Sequence, residues 1–309
     1  MVPGHEACGT VEAVGPEVRR VRVGDRVLAS VSPACGSCWW CTNEMSNHCE
    51  RGPSIVRAPR HHLPDGRWAT SVCGCGTFAE AMVVDEASVV AVQTDLADEE
   101  LALLGCGVTT GLGAALITAG VRPGESVAVI GCGGVGQSVI QGARIAGATT
   151  ILAIDLVERR RATALELGAT EALDPAAFDD GAAVVAAVKD RTHGRGVDHS
   201  FEVVGLPALM NQAFDMARAE GSVTLVGMPG KDAELTLRAV PAVFSGKRLQ
   251  GSVVGGAQIL RDFPRFIRLA ESGALRLDSL VSHRIPLDQV NEGIALLTRA
   301  EGLRTLITP

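Results

Sequence analysis

Tyrosine is absent from this 309-residue sequence, and aromatic residues make up only 3% of it. Its core must therefore be built from Ala, Val, Leu and Ile. Basic charge is also short: 28 Lys and Arg face 35 Asp and Glu, for a formal net charge of −7 and a pI of about 5.5. Nothing in that balance attracts a phosphate backbone over a broad surface, so nucleic acid is not an expected partner. The opening residues, MVPGHEACGT, lack both the basic region and the apolar run of a secretory signal. What is plentiful is apolar residues, at 47%, and glycine, at 36 residues. The first is enough for a large core and too much for a disordered chain. The second implies tight turns or close backbone approach. At about 150 residues per domain, the length implies two domains.

One stretch imitates a membrane span. Residues 101–121 carry no charge, but they include Gly105, Gly107, Gly111, Gly113 and Gly120, with Thr109, Thr110 and Thr118. So many small residues favour a helix buried between domains over a lone span, and no membrane partner is expected. The nine cysteines are odd in number and clustered, and no signal peptide precedes them. That pattern argues against a disulfide framework and for metal binding in a reducing, cytoplasmic compartment.

Residues 1–95 read as β-rich, with short apolar runs at 9–14, 26–31 and 78–84 between turn signals. Residues 50–77 show no period and read as a long surface loop. From Ser126 the pattern changes. Strands are expected at 126–131, 150–155, 197–204 and 222–226, and helices to about 146, then at 158–167, 182–191 and 207–218. Such alternation means βαβ units and a parallel sheet. Two amphipathic helices, 259–272 and 287–298, and a strand at 303–308 close the chain.

Two motifs carry chemistry. Gly131-Cys132-Gly133-Gly134-Val135-Gly136 is a G-x-G-x-x-G. Alone it could be an ordinary tight turn in a glycine-rich chain. Here it ends a strand and opens a helix, and the next strand ends in an acid, Asp155. The glycines let the backbone approach a pyrophosphate, the helix N-terminus offers N–H groups, and the carboxylate accepts from ribose hydroxyls. Asp155 would repel a 2′-phosphate, so NAD is expected over NADP. The second motif is Cys35, Cys38, Cys41 and Cys49, four thiols that suit one tetrahedral zinc with no open position, and hence a structural site. An iron–sulfur cluster, or chance clustering beside Trp39 and Trp40, stays open at this point. His5 and Cys106 mean little by spacing; a satisfied core histidine is the default reading.

Taken together, these features resemble the zinc-containing medium-chain alcohol dehydrogenases, near the liver-type and glutathione- or mycothiol-linked formaldehyde dehydrogenase branch. The matching stretches run the length of the chain: GHEACGTVEAVG, VGDRV, the four-cysteine lobe, GTFAE, LLGCGVTTGLGAA, GCGGVGQSVIQGARIAGA, ELGAT, SFEVVG, VNEG at 290–293 and LRTLIT. The resemblance implies an α/β architecture in which a Rossmann doubly wound parallel sheet, 108–253, is inserted into a GroES-like β-rich catalytic domain, 1–107 plus 254–309, with a zinc lobe at about 33–50. It implies that His5 and Cys106 hold a catalytic zinc and that Glu6 can bind that metal transiently. It places Thr110 near the nicotinamide, Arg160 beside the ribose and Arg304 at the pyrophosphate. The implied reaction is Lewis-acid assisted hydride transfer from an alcohol, or a thiol–aldehyde adduct, to NAD. The long 50–77 segment resembles the dimeric branch, so a homodimer is expected, joined through 235–238 and 249–253.

In that family about 60 residues precede the GHE motif and supply a Cys, the first of three protein ligands of the catalytic zinc, then a Ser or Thr that opens the proton relay. Here GHE begins at Gly4, and Cys8 is expected to face along a strand as a poor substitute. The expectation is a start codon called too late, with Met1 an internal methionine of a longer enzyme. The alternative is a truncated NAD- and zinc-binding protein with impaired catalysis.

Overall fold

The computed structural model describes residues 1–308, and its chain divides into two units, residues 1–109 with 257 onward, and residues 110–256. The first unit opens with β1 (Cys8–Thr10) and β2 (Arg26–Ala29). The helices α1 (Trp39–Thr42) and α2 (Gly52–Arg57) follow, then the hairpin β3 (His61–His62) and β4 (Trp68–Ala69), and β5 (Val89–Ala91). β1, β2 and β5 form one antiparallel sheet with β2 in the middle, its Val27, Leu28 and Ala29 buried.

Two local expectations need correction here. Residues 50–77 are not a structureless loop: Pro53 in the first turn and the buried Ile55 set α2, and β3–β4 follows. These elements are too short to display a period. Residues 78–84 form no strand among the described residues. An apolar run makes a segment fit for a strand, but a ladder also needs a neighbour, and Phe78 N–H is bound instead to the carbonyl of Pro3.

The uncharged stretch begins in the last turn of α3 (Asp98–Ala102) and continues as α4 (Gly107–Gly113) and a π-helical turn, Ala114–Ala119. No single helix among the described residues is long and apolar enough to cross a membrane; Asp98–Gly105 and Gly107–Ala119 pass that test only together, bent by 60°. Leu101, Leu104, Val108, Leu112, Ala114 and Ala115 are fully buried. The small residues have a packing reason: a methyl on Gly111 would lie 2.2 Å from the carbonyl oxygen of Val135.

The second unit runs β6 (Ser126–Ile130), α5 (Gly134–Ile145), β7 (Thr150–Ile154), α6 (Glu158–Leu167), β8 (Glu171–Leu173), α7 (Gly181–Asp190), β9 (Val197–Glu202), α8 (Pro207–Met216), β10 (Ala217–Leu225), α9 (Ala239–Ser245) and β11 (Arg248–Gly251). The six strands form the expected parallel, doubly wound sheet in the order β11-β10-β9-β6-β7-β8. Strand progression reverses between β6 and β9, which is the switch point where such sheets bind ligands. Alternate side chains serve opposite faces. Val127, Val129, Ile151, Ala153 and Phe201 pack with Val139, Ile140 and Ala143 of α5, whereas Ala128, Ile130, Leu152, Ile154 and Val223 pack with Val184, Val188, Ala213 and Met216. β11 is an edge strand, but residues 235–238, expected beside it at a dimer seam, are not in a strand. Four residues of mixed polarity could not show that. The chain then returns to the first unit through α10 (Ile259–Glu271), β12 (Val281–Pro286), α11 (Val290–Thr298) and β13 (Arg304–Thr308), with β12 and β13 parallel.

Asp198 ties the N-terminal ends of three of these strands together. Its carboxylate accepts from Ser126 N–H at 2.8 Å, from Ser126 Oγ at 2.6 Å and from Arg218 Nε at 2.7 Å. Burial pushes the carboxyl up, but the Ser126 and Arg218 donors outweigh it and hold the group below the usual Asp range. A depressed folded pKa stabilises the protein above the ordinary Asp value, near ~4, and that contribution is lost as pH falls through the folded value. Asp198→Asn should therefore cost about 2 kcal/mol at pH 7 and flatten the acid limb of stability below pH ~4. Urea unfolding across pH checks this, and identical acid limbs in the two proteins would contradict it.

Candidate active site and metal centre

In the cysteine lobe, Cys35, Cys38 and Cys41 surround the start of α1, and Cys49 follows a single turn at Ser46–His48. Their four sulfurs lie within 4.8 Å of one another. Cys35 and Cys41 Sγ are 3.9 Å apart, and Cys38 and Cys49 Sγ 4.0 Å. A tetrahedron of thiolates about 2.3 Å from one zinc has edges of about 3.8 Å, so the donor set fits zinc. N–H groups of Ser37 and Cys38 point at Cys35 Sγ and hold that thiol down to about 6. Arg20 fixes the approach to the lobe by donating to the carbonyls of Ala34 and Cys35, at 2.7 and 2.9 Å.

A second donor set lies in the same unit. His5 and Glu6 meet Cys106, far along the sequence, and the three ligand atoms lie within 4.8 Å of one another. The peptide before β1 is held by backbone bonds: Gly76 and Thr77 donate to the carbonyl of Gly4, and Phe78 to that of Pro3, each at 3.1 Å. Cys106 immediately precedes α4. Glu6 Oε1 accepts from Gly107 N–H at 2.6 Å, and Arg304 Nη1 stands 3.7 Å from Glu6 Oε2. An imidazole, a thiol and a carboxylate make a borderline-soft set, which suits zinc. Cys8 turns elsewhere: its thiol faces Asp98 at 3.4 Å and is pushed up to about 12, chiefly by burial.

The glycine loop belongs to the second unit. Gly131 has φ of +93°, a left-handed conformation that favours glycine. A methyl on Gly136 would lie 1.9 Å from the carbonyl oxygen of Gly131, so the first turn of α5 passes directly over the loop. A methyl on Gly133 would meet nothing within 4 Å. That open face, beside a helix N-terminus with no side-chain cap, fits a pyrophosphate. Asp155 follows β7. Its Oδ2 accepts from Cys132 N–H at 2.7 Å and its Oδ1 from Val157 N–H at 2.8 Å, so the carboxylate is fixed beside the loop. Arg160 Nη1 lies 3.9 Å from Asp155 Oδ2.

Thr110 sits within α4, and Arg304 beside Glu6 at the start of β13. Two residues of the loop region escaped the sequence reading. Gln137, fully buried in the first turns of α5, donates to the carbonyls of Cys132 and Arg160, at 2.9 and 2.8 Å. Glu202, buried at the end of β9, accepts from Val204 and Gly205 N–H at 2.9 and 2.7 Å, and burial pushes its carboxyl up. The one sequence signal for Gln137 is a polar residue on a helix of small and apolar ones.

Residues 1–94 match the family model of the alcohol dehydrogenase GroES-like domain, and residues 134–272 that of the zinc-binding dehydrogenases. An alcohol dehydrogenase zinc-binding domain protein from Burkholderia ambifaria is 33% identical, with a TM-score of 0.92; the alignment covers 99% of this chain and 83% of that one. Benzyl alcohol dehydrogenase from Acinetobacter calcoaceticus is 30% identical over 99% of this chain and 83% of its own, with a TM-score of 0.90. A protein of Sinorhizobium meliloti 1021, described as a zinc-binding dehydrogenase and bound to NADP, is 27% identical over 99% and 83%, with a TM-score of 0.79.

The close approach at Gly136 can be tested directly. Gly136→Ala should force loop and helix apart, costing about 1–3 kcal/mol of stability, and should weaken dinucleotide binding. Thermal unfolding reads the first effect, and an unchanged melting temperature would contradict the packing described.

Proposed function

Because this chain belongs to the zinc-binding alcohol dehydrogenase family, we propose that it transfers hydride from a small alcohol, or a thiol–aldehyde adduct, to NAD. The observation that carries this reading is the convergence of His5, Glu6 and Cys106 in a chain that also holds a dinucleotide cradle. When bound, zinc supplies Lewis acidity toward the substrate oxygen, and NAD⁺ supplies the hydride acceptor.

The chain's own residues do the positioning. His5 and Cys106 hold the metal. Glu6 is the third donor, its carboxylate anchored by Gly107 N–H and its charge offset by Arg304. Cys35, Cys38, Cys41 and Cys49 hold a separate, structural zinc, since four sulfurs leave no coordination position for substrate. On the cofactor side, Gly131, Gly133, Gly134, Val135 and Gly136 let the pyrophosphate reach the N–H groups that open α5. Asp155 accepts from the adenosine ribose, and Arg160 stands beside it. Thr110 and Arg304 are assigned to the nicotinamide and the pyrophosphate through the family resemblance. Edge strand β11 is the element suited to pairing with a second copy in a homodimer.

A second reading, an NAD- and zinc-binding protein impaired in catalysis, is favoured by one observation. Glu6 is already engaged by Gly107 and Arg304, which weakens it as a metal ligand. Metal content separates the two readings. Two zincs per chain, with NADH formed from alcohols, supports the enzyme; one zinc and no NADH supports the binder. In either case Cys41→Ser should remove one zinc and lower the melting temperature, because lobe folding is coupled to the metal. An unchanged zinc count would refute the four-sulfur assignment.

Cofactor choice gives an independent test. Asp155→Ser removes an acceptor and a repulsive charge. It should weaken NADH binding by about tenfold while easing discrimination against NADPH. Titration of both dinucleotides measures this, and tighter binding of NADPH than NADH by the unaltered chain would refute the role of Asp155.

A further inference from the structure

A closed ring of contacts lies beside the ends of β6 and β7. Cys132 N–H donates to Asp155 Oδ2, and Arg160 Nη1 faces that same oxygen. The ring is completed by Gln137, whose side-chain NH₂ donates to the carbonyls of Cys132 and Arg160. Cys132 lies in the glycine loop, whereas Arg160 lies in the first turn of α6. Gln137 is thus a bridge between the segment that would receive the pyrophosphate and the segment that would meet the ribose.

Burying that carboxamide is costly unless it is fully bonded, and here it is not. Gln137 is 0% exposed, and its Oε1 has no partner, nor has the buried Nε of Arg160. An apolar residue of the same reach would fill the volume without an orphaned oxygen. What it could not do is hold two carbonyls on separate loops at once. The bridge therefore acts on geometry more than on stability.

We propose that Gln137 is a positioning residue for cofactor selection. Its carboxamide locks the first turn of α6 to the glycine loop, and so keeps Asp155 and Arg160 in register for an adenosine ribose without a 2′-phosphate. The proposal rests on the dinucleotide reading of this site. Without the bridge, the turn carrying Arg160 is released from the loop. Arg160 then shifts away from Asp155 Oδ2, whereas Asp155 stays held by Cys132 and Val157 N–H, and NADH loses the paired alignment of the two side chains at its ribose. A released Arg160 can meet a 2′-phosphate, so the release costs NADPH less.

The test compares the unaltered chain with Gln137→Met, unbranched and of similar length, and with Gln137→Leu should Met fail to fold. Dissociation constants for NADH and NADPH are measured by fluorescence titration, and amide exchange of residues 158–164 is measured without cofactor. The expected result is a fall of about tenfold in the preference for NADH, with faster exchange in the first turn of α6 but not in α7. Equal weakening of both dinucleotides, or unaltered preference, would overturn the proposal. So would failure of both variants to fold, which would assign Gln137 to stability. An unaltered chain that binds neither dinucleotide would overturn the cofactor reading itself, and this proposal with it. An unaltered chain that prefers NADH, paired with an unshifted variant, would overturn only the role of Gln137.

Discussion

The contact on which the second unit depends is between two backbones. α5 starts so close to the end of β6 that no side-chain atom fits between Gly136 and the carbonyl of Gly131. That closeness lets the helix N-terminus face the loop with its N–H groups unobstructed. It also lets Asp155, one strand away, reach Cys132 N–H. The parallel sheet supplies rigid supports for both segments, with Val129 and Ala153 buried beneath α5. Binding chemistry at this point follows from the absence of atoms as much as from their presence.

The first unit solves a different problem. Several of its elements are only two to four residues long, as in β1, β3, β4 and α1. Such pieces bury little apolar area each, so polar clamps must hold the irregular chain between them. Arg20 clamps the entry to the cysteine lobe, and Arg26 clamps Asp98 and the carbonyls of Thr94 and Leu96. A metal in the four-sulfur lobe would do the same work more strongly, since ligand binding there is itself folding energy. The His5, Glu6 and Cys106 set is of another kind. It is reached through backbone bonds from residues 76–78, and its carboxylate is tethered instead of left open.

What could be read from the sequence follows from which signals are local. The parallel sheet was legible because β6 and β7 are apolar runs separated by a helix of ordinary length. The cysteine lobe was legible because its ligands are nearly contiguous. Convergence of His5 with Cys106 was carried by family resemblance alone, since spacing says nothing about residues so far apart. The hairpin β3–β4 and helix α2 were invisible because they are too short for a period to repeat. Residues 78–84 misled because a short apolar run cannot report whether a neighbouring strand exists. Gln137 was missed for a related reason: its meaning lies in two carbonyls, one of them on another element.

Under the proposed NAD reading, counting charges in the first turn of α6 would mislead about the cofactor. Arg159, Arg160 and Arg161 follow one another there, an arrangement that on paper invites a 2′-phosphate. Arg161 is already committed, donating to the carbonyls of Asp155 and Leu156 at 2.8 and 2.9 Å and pairing with Asp174 at 2.9 Å. Arg160 stands within 3.9 Å of Asp155, whose charge it partly offsets. Both oxygens of Asp155 already accept one backbone N–H, so the carboxylate cannot turn away to admit a phosphate. A dianionic group placed there would face a fixed negative charge at short range, and the Arg160 guanidinium, shared with that charge, does not by itself compensate it. A ribose diol has the opposite requirement, two hydroxyls in search of an acceptor with a lone pair to spare, which a carboxylate holding one N–H on each oxygen still provides.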